Sequence, residues 1–160
     1  MILHRDGKPL FPLGTYEVPR DEAEWKQWTE AGINLVRCRN RDELDAAHEH
    51  GAFAWVPVPM IVKDDEGEER LRGIVEELRG HPALAVWEAP DEAIWRTVHF
   101  GPDRARRLWE EPGERVTEVL RRRDELVAGL ARGAQLIRAL DPGRPLWLNE
   151  ATPSDQDTLA

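Results

Sequence analysis

The 160-residue sequence has one cysteine, one tyrosine and no long apolar run. Because Cys38 has no second cysteine to pair with, an internal disulfide is excluded and the redox compartment stays undetermined. No apolar stretch approaches the ~18 residues that a membrane-spanning helix needs, and the N-terminus turns polar by its fourth residue, so no signal region is predicted. We therefore expect a protein without a membrane partner that is cytoplasmic if Met1 is the true start.

Basic residues are also scarce relative to acidic ones. Lysine and arginine total 22 against 31 aspartates and glutamates, which gives a formal net charge of -9. Such a chain repels a nucleic-acid backbone or an anionic membrane on average, so neither is expected as a partner. Tryptophan, in contrast, is abundant, with seven residues. Aromatic faces are surfaces on which sugars pack, although core packing is the expected role of at least half of these tryptophans.

Apolar runs alternate with helical patterns along the chain. A length of 160 residues with 41% hydrophobic content suffices for one core, so one domain spanning 1–160 is predicted. The Asp6–Gly7 pair predicts a short N-terminal hairpin. Strands are predicted at 12–16, 33–38, 52–58, 83–89 and 144–151. Helices are predicted after the capping pairs Asp21/Glu24 and Asn40/Glu43, over 66–79 and over 116–137, whereas 93–112 is predicted to be irregular.

This alternation, strand then helix four times over and one more strand, is typical of a parallel α/β sheet with helices packed outside it. The stretch GTYEVPRDE after the first strand has one glycine where a phosphate loop has three, which disfavours a dinucleotide-binding sheet. A (β/α)8 TIM barrel takes about 250 residues and eight strands. The predicted fold is therefore an incomplete TIM-barrel type, whose open sheet edges favour continuation in a longer protein, self-association or a partner chain.

Four segments carry a family likeness. In order and spacing, DGKPLFPLGTY, EAGINLVRCR, HPALAVWEAPDE and LIRALDPGRPLW resemble the first half of the barrel of clan A glycoside hydrolases, over nearly the whole chain from Asp6 to Leu148. Those are retaining enzymes with an acid/base at the end of strand four and a nucleophile on strand seven. The most specific element is the tryptophan strand that ends in an acidic pair, which resembles the Asn-Glu signature of that family.

The resemblance implies roles for three residues. Glu92 would be the general acid/base, Asp91 would stand where the family has asparagine, and Arg37 would help orient the catalytic carboxylates. The chemistry agrees, because glycosidic cleavage needs one protonated carboxyl for the departing oxygen and one ionised carboxylate across the sugar ring. Strand seven, the family's nucleophile position, is not in this sequence. Glu150, at the end of the fifth strand, is near strand four but does not occupy that position.

Further residues are candidates for contact with substrate. Trp95, just past the acids, is predicted to contact a sugar, and Trp147 would do so if it points to the C-terminal mouth, with core packing as the alternative. His99 is a candidate for shaping the pocket, with an exposed loop position as the alternative. Glu88 is interpreted as paired with a basic residue in the barrel wall or interior. His48 and His50 do not suit a metal, because residues two apart on a helix diverge.

The sequence therefore predicts a glycoside hydrolase-like protein that cleaves O-glycosidic bonds in a carbohydrate substrate by a two-carboxylate retaining mechanism. No cofactor and no metal are predicted, and the nucleophile is missing from this chain. The alternative is a non-catalytic half-barrel that binds carbohydrate or a partner subunit through its open edge. A metal-dependent barrel hydrolase is a third reading, which the scattered histidines disfavour.

Overall fold

The computed structural model describes residues 4–5, 7–99 and 114–150. At the N-terminus, β1 (His4–Arg5) pairs with β2 (Lys8–Pro9) in antiparallel orientation. Gly7 between them has a φ of 74°, a left-handed conformation that glycine adopts without a side-chain penalty. The predicted hairpin is therefore confirmed, although Asp6 itself lies outside the described residues.

The other strands form one parallel sheet. They are β3 (Gly14–Thr15), β4 (Leu35–Arg37), β5 (Phe53–Pro57), β6 (Leu84–Glu88) and β7 (Leu146–Trp147). Their spatial order is their order in the chain, and every neighbouring pair is parallel. An α/β fold with a five-stranded parallel sheet is thus confirmed. Sequential order without a reversal is typical of a barrel wall, but the described sheet does not close into a barrel.

Helices connect the strands of this sheet. They are α1 (Glu22–Glu30), α2 (Arg41–Glu49), α3 (Asp65–Leu78), α4 (Ala93–His99) and α5 (Glu114–Leu140). The prediction of an irregular segment over 93–112 was wrong at its start, where α4 forms. Residues 100–112 of that segment lie outside the described part of the chain. No helix in the described part is both long and apolar enough to span a membrane.

Local capping residues begin the first three helices, and the caps predicted at Asp21 and Asn40 are confirmed. Asp21, Asn40 and Asp64 each accept a hydrogen bond from the backbone N–H three residues later, at 2.8–2.9 Å. The Glu24 carboxylate accepts a hydrogen bond from the backbone N–H of Arg20, and the hydrogen bonds from the Arg20 side chain lower the pKa of Glu24 to about 2. This carboxylate therefore stays ionised near neutral pH. Such caps are worth about 1 kcal/mol each and fix where a helix starts.

Alternating strand positions divide the buried side chains into two layers. One layer faces the helices, where Val36, Val56 and Trp87 pack among helix residues such as Leu71 and Ile137. The other layer, which we call the open face, consists of strand residues alone: Leu35, Phe53, Trp55, Ala85, Val86 and Trp147. The open face is the side that lines the interior when such a sheet curls into a barrel. Its polar members are described with the site.

Helix α5 packs so closely against the segment after β5 that there is no room for a side chain at Gly133, where the helix contacts Met60. A Cβ atom built on Gly133 would lie 2.7 Å from Met60 Cγ and 2.9 Å from the Met60 carbonyl carbon. We expect Gly133→Ala to lower the free energy of unfolding by about 2–3 kcal/mol, because the backbone of Met60 must shift. Urea denaturation followed by circular dichroism measures the effect.

A matched control is available on α3. A Cβ atom on Gly73 would meet nothing within 4 Å. There the same substitution is expected to raise the free energy of unfolding by about 0.5–1 kcal/mol, because alanine is the better helix former. Equal urea midpoints for the two variants would show that α5 does not pack on Met60 as described.

Candidate functional site

The candidate residues gather at the edge where the parallel strands end. Arg37 is the last residue of β4, Glu88 is the last residue of β6, and Asn149 and Glu150 follow β7. Backbone bonds continue the pairing of β6 with β7 beyond both strands, from Ala89 N to Trp147 O and from Glu92 N to Asn149 O, each 2.9 Å. The carboxyl edge of a parallel sheet is where α/β proteins place their sites.

The acidic pair lies on the turn that leads from β6 into α4. Asp91 Oδ1 accepts a hydrogen bond of 2.7 Å from Asn149 Nδ2. Glu92 is half-buried and has a φ of 49°, the only positive value among the described non-glycine residues. Its N–H is held by Asn149 O, and its own carbonyl accepts the Arg96 N–H at 2.8 Å. A left-handed backbone at a residue other than glycine costs about 1–3 kcal/mol and is found preferentially at functional sites.

Glu150 holds the start of α4. Its carboxylate is 7% exposed and accepts bonds from the backbone N–H groups of Ile94 (3.0 Å) and Trp95 (3.2 Å). These N–H groups belong to the first turn of α4. The first N–H groups of a helix have no carbonyl oxygen within the helix to accept their hydrogen bonds. This cap comes from 56 residues along the chain, and it explains why α4 forms where the local sequence indicates none. Glu150 therefore positions the helix that begins directly after Glu92.

Glu88 and Arg37 form an ion pair on the open face. Arg37 Nε donates to Glu88 Oε2 at 2.9 Å, and the Glu88 side chain is 2% exposed. The interpretation of Glu88 as paired with a basic residue is confirmed. Glu88 Oε1 is also buried and has no hydrogen-bond partner among the described residues. The predicted role of Arg37 in orienting the catalytic carboxylates stays a prediction, since the carboxylate that Arg37 binds is that of Glu88.

Three aromatic rings cover the open face around this ion pair. Trp55 is stacked on Trp147 with 5.2 Å between ring centroids, and Tyr16 meets Trp55 edge-on at 5.6 Å. The Arg37 guanidinium lies 5.7 Å from the Tyr16 ring centroid. The Trp55 ring lies against Gly14, where a Cβ atom would be 3.0 Å from Trp55 Cζ3. Because Gly14 has no side chain, β3 leaves room for the large Trp55 ring of β5.

Exposure distinguishes these rings. Trp55 is 1% exposed and its Nε1 has no hydrogen-bond partner among the described residues, whereas Tyr16 is 52% exposed. Trp147 is partly exposed. Sequence reasoning identified Trp147 as a candidate but missed Tyr16. The available signal was that the only tyrosine of the chain directly follows the first strand of the sheet.

The remaining sequence candidates lie on α4. Trp95 is partly exposed in the first turn of the helix, next to the acidic pair. His99 is its last residue, and the prediction for the His99 side chain falls outside what the structure describes. The structure therefore gathers Arg37, Asp91, Glu92, Trp147 and Glu150 at one edge of the sheet, with Trp95 adjacent to them. Contact of these residues with a sugar stays a prediction.

Other chemistries have less support at this edge. Cys38 directly follows Arg37, but it is fully buried, and burial raises the pKa of its thiol to about 12. A thiol that stays protonated is a poor nucleophile. Within the described residues, no group of three histidine, cysteine, aspartate or glutamate side chains is arranged to hold a metal ion.

Solved structures with a similar fold are glycoside hydrolases. No protein-family model matches the chain, and no curated protein matches it in sequence. A β-glucuronidase from Bacteroides uniformis is similar over 96% of this chain, with a TM-score of 0.60 and 20% identity. A β-galactosidase from Marinomonas ef1 is similar over 88%, with a TM-score of 0.59 and 16% identity. For a β-D-mannosidase from Dictyoglomus thermophilum the values are 89%, 0.54 and 18%.

The similarity covers a limited part of those proteins. The chain spans 20% of the β-glucuronidase, 37% of the β-galactosidase and 19% of the β-D-mannosidase. At identities of 20% or less, the likeness shows the fold alone. The fold is therefore glycoside hydrolase-like, and the resemblance seen in the sequence is supported at that level.

Proposed function

We propose that the protein is a glycoside hydrolase-like unit that acts on O-glycosidic bonds, with Glu92 as the general acid/base. The observation that carries the proposal is the position of Glu92. It follows β6, the fourth strand of the parallel sheet, at the carboxyl edge, and its left-handed backbone is held by bonds to Asn149 and Arg96. Backbone strain retained at the carboxyl edge of a parallel sheet favours a functional role over a plain turn.

The proposed role of Glu92 is to give its proton to the departing glycosidic oxygen. In a retaining mechanism it then takes a proton from the water that releases the sugar. Asp91 accepts a bond from Asn149, which holds the turn that carries Glu92. Glu150 fixes the other side of that turn through α4. These two side chains are therefore proposed as positioning residues.

The second carboxylate is proposed to come from outside the five strands. A retaining mechanism needs a nucleophile ~5 Å from the acid/base. The Glu88 side chain is 2% exposed and bound to Arg37, and both Glu150 oxygens accept backbone N–H groups, so neither carboxylate is poised to attack a sugar. A longer form of the protein or a partner chain paired along β3 or β7 would supply the nucleophile.

A non-catalytic carbohydrate-binding half-barrel is the alternative. It is favoured by the engagement of Glu88 and Glu150 with other groups of the protein. The partly exposed rings of Tyr16 and Trp147 would serve as the sugar platform in either case, because sugar rings pack on aromatic faces. Self-association through the open edges of the sheet is a proposal compatible with both functions.

Assay of hydrolysis together with binding separates the two functions. The substrates are the 4-nitrophenyl β-glycosides of glucose, galactose, mannose and glucuronic acid, and quenching of tryptophan fluorescence reports binding. Hydrolysis with retention of anomeric configuration, followed by proton NMR, is the result expected for the enzyme. Binding without hydrolysis would favour the alternative. The absence of both would overturn the carbohydrate assignment.

A further inference from the structure

We propose that a groove beside Glu92 binds the anionic group of an acidic saccharide, a carboxylate or a sulfate ester. This inference rests on the proposed function and specifies its substrate class. The groove has a volume of about 830 Å³ and lies between α4, α5 and the segment 61–63. Four basic side chains line it: Lys63, Arg96, Arg122 and Arg132. We call it the basic groove.

Two of these cations have no carboxylate partner among the residues that the structure describes. Arg122 Nε binds Glu118 at 2.7 Å, and Arg132 lies 3.8 Å from Glu68. Lys63 and Arg96 are exposed and make no ion pair with any residue that the structure describes. Glu125, the acid on the groove lining, is bound to Arg121. Among the described residues, the lining of the groove therefore has more basic than acidic side chains, on a chain whose net charge is -9.

Arg96 connects the groove to the turn that carries the proposed acid/base, whereas Glu92 itself is not among the described residues that line the groove. The Arg96 N–H donates to the Glu92 carbonyl at 2.8 Å, so the two residues are one helical turn apart, a rise of ~5.4 Å. This separation is comparable to one sugar ring. A saccharide cleaved at Glu92 would bring a neighbouring ring, with any acidic substituent, within reach of Arg96, and Lys63 lines the same groove.

The floor of the groove is apolar and well fixed. It includes Ile61, Val62, Leu126 and Gly129. The Val62 N–H donates to Gly129 O at 3.1 Å, and a Cβ atom on Gly129 would lie 3.1 Å from Ile61 Cγ2. A fixed apolar floor with cations at its margins suits the carbon face of a sugar that carries an anionic group.

The negative net charge of the protein disfavours a long polyanion as the ligand of the basic groove. A long polyanion such as nucleic acid is repelled by the net charge of -9 before it reaches a small basic site. A short saccharide with a few charges is repelled far less, and arginine binds a carboxylate or sulfate with paired N–H groups. The geometry therefore points to an acidic oligosaccharide and not to a nucleic acid.

Calorimetric titration with matched ligands tests the proposal. The probes are trigalacturonic acid and its fully methyl-esterified form, which has the same rings without the charge. We expect the acid to bind at least ~10-fold more tightly than the ester at low ionic strength, with the difference shrinking at 0.5 M salt because salt screens exposed charges. A Lys63→Gln/Arg96→Gln variant is expected to lose that difference while binding the ester unchanged.

The control variant is Lys26→Gln/Arg138→Gln, which removes two exposed cations that do not line the groove. It is expected to keep the preference for the acid. Equal binding of acid and ester, equal effects of the two double variants, or sulfate ion binding as tightly as the trisaccharide would each overturn the proposal. If the ester binds and neutral glycosides are hydrolysed without preference for acid, only this inference fails. If no saccharide is bound or cleaved, the proposed function fails with it.

Discussion

Replacing Glu92 with glutamine is expected to reduce kcat/KM for a 4-nitrophenyl glycoside that the protein cleaves by about 10²–10⁴-fold. Glutamine has nearly the same shape but cannot give a proton to the departing oxygen, and general acid catalysis contributes a factor of this size. A 2,4-dinitrophenyl glycoside needs little protonation of its leaving group, so its glycosylation step should be affected much less. Burst and steady-state kinetics on both substrates measure the difference.

Two further variants separate lost chemistry from lost structure. Glycine adopts a φ of 49° at no cost, so Glu92→Gly is expected to unfold at an unchanged or higher urea concentration while losing activity. Asp91→Asn keeps a side-chain oxygen that can accept the bond from Asn149, and it is expected to retain activity. Unaltered hydrolysis of both substrates by Glu92→Gln would show that another residue is the acid.

Replacing Arg37 with methionine is expected to lower the free energy of unfolding by about 3–5 kcal/mol. The change leaves Glu88, whose side chain is 2% exposed, as a buried carboxylate without its partner, and breaking one side of a buried pair has a cost of this size. Guanidinium or urea denaturation at neutral pH measures the loss. The size of the effect follows from the desolvation of Glu88 and not from the strength of one hydrogen bond.

The double variant Arg37→Met/Glu88→Met provides the decisive comparison. It removes both charges, so most of the stability lost in Arg37→Met is expected to return. Arg70→Met is the surface control, because Arg70 and Glu66 are both largely exposed and their pair is worth at most about 1 kcal/mol. If Arg37→Met costs no more than Arg70→Met, the Glu88 carboxylate is not buried as described.

Much of the local structure was predictable from short stretches of sequence. Asp21 and Asn40 start helices because their side chains bind the N–H groups three residues later, an interaction set by neighbouring residues alone. The β-branched and apolar runs predicted the three central strands, β4, β5 and β6, because a parallel strand inside a sheet is buried on both faces. The outer strands β3 and β7 were predicted as well, although they are less buried. Placement of Arg37, Asp91 and Glu92 at one edge followed from the rule that parallel strands end on the same side.

The partners across the sheet were not predictable in the same way. Glu88 binds Arg37 from 51 residues away, and Glu150 caps α4 from 56 residues away. Neither contact produces a periodic pattern in the sequence, because each contact depends on which strands are neighbours and on the register between them. The same holds for the close approach of Gly133 to Met60 and for the basic groove, whose members come from three separate segments.

The sequence by itself determined the order of the five sheet strands, the starts of α1 and α2 and the position of the acidic pair after the fourth strand of the sheet, since these depend on residues close together in the chain. Only the tertiary structure decided which charges are paired, which rings are exposed and which basic side chains line the groove between α4 and α5. Those properties depend on burial and on contacts between distant segments, which exist only once the sheet has formed.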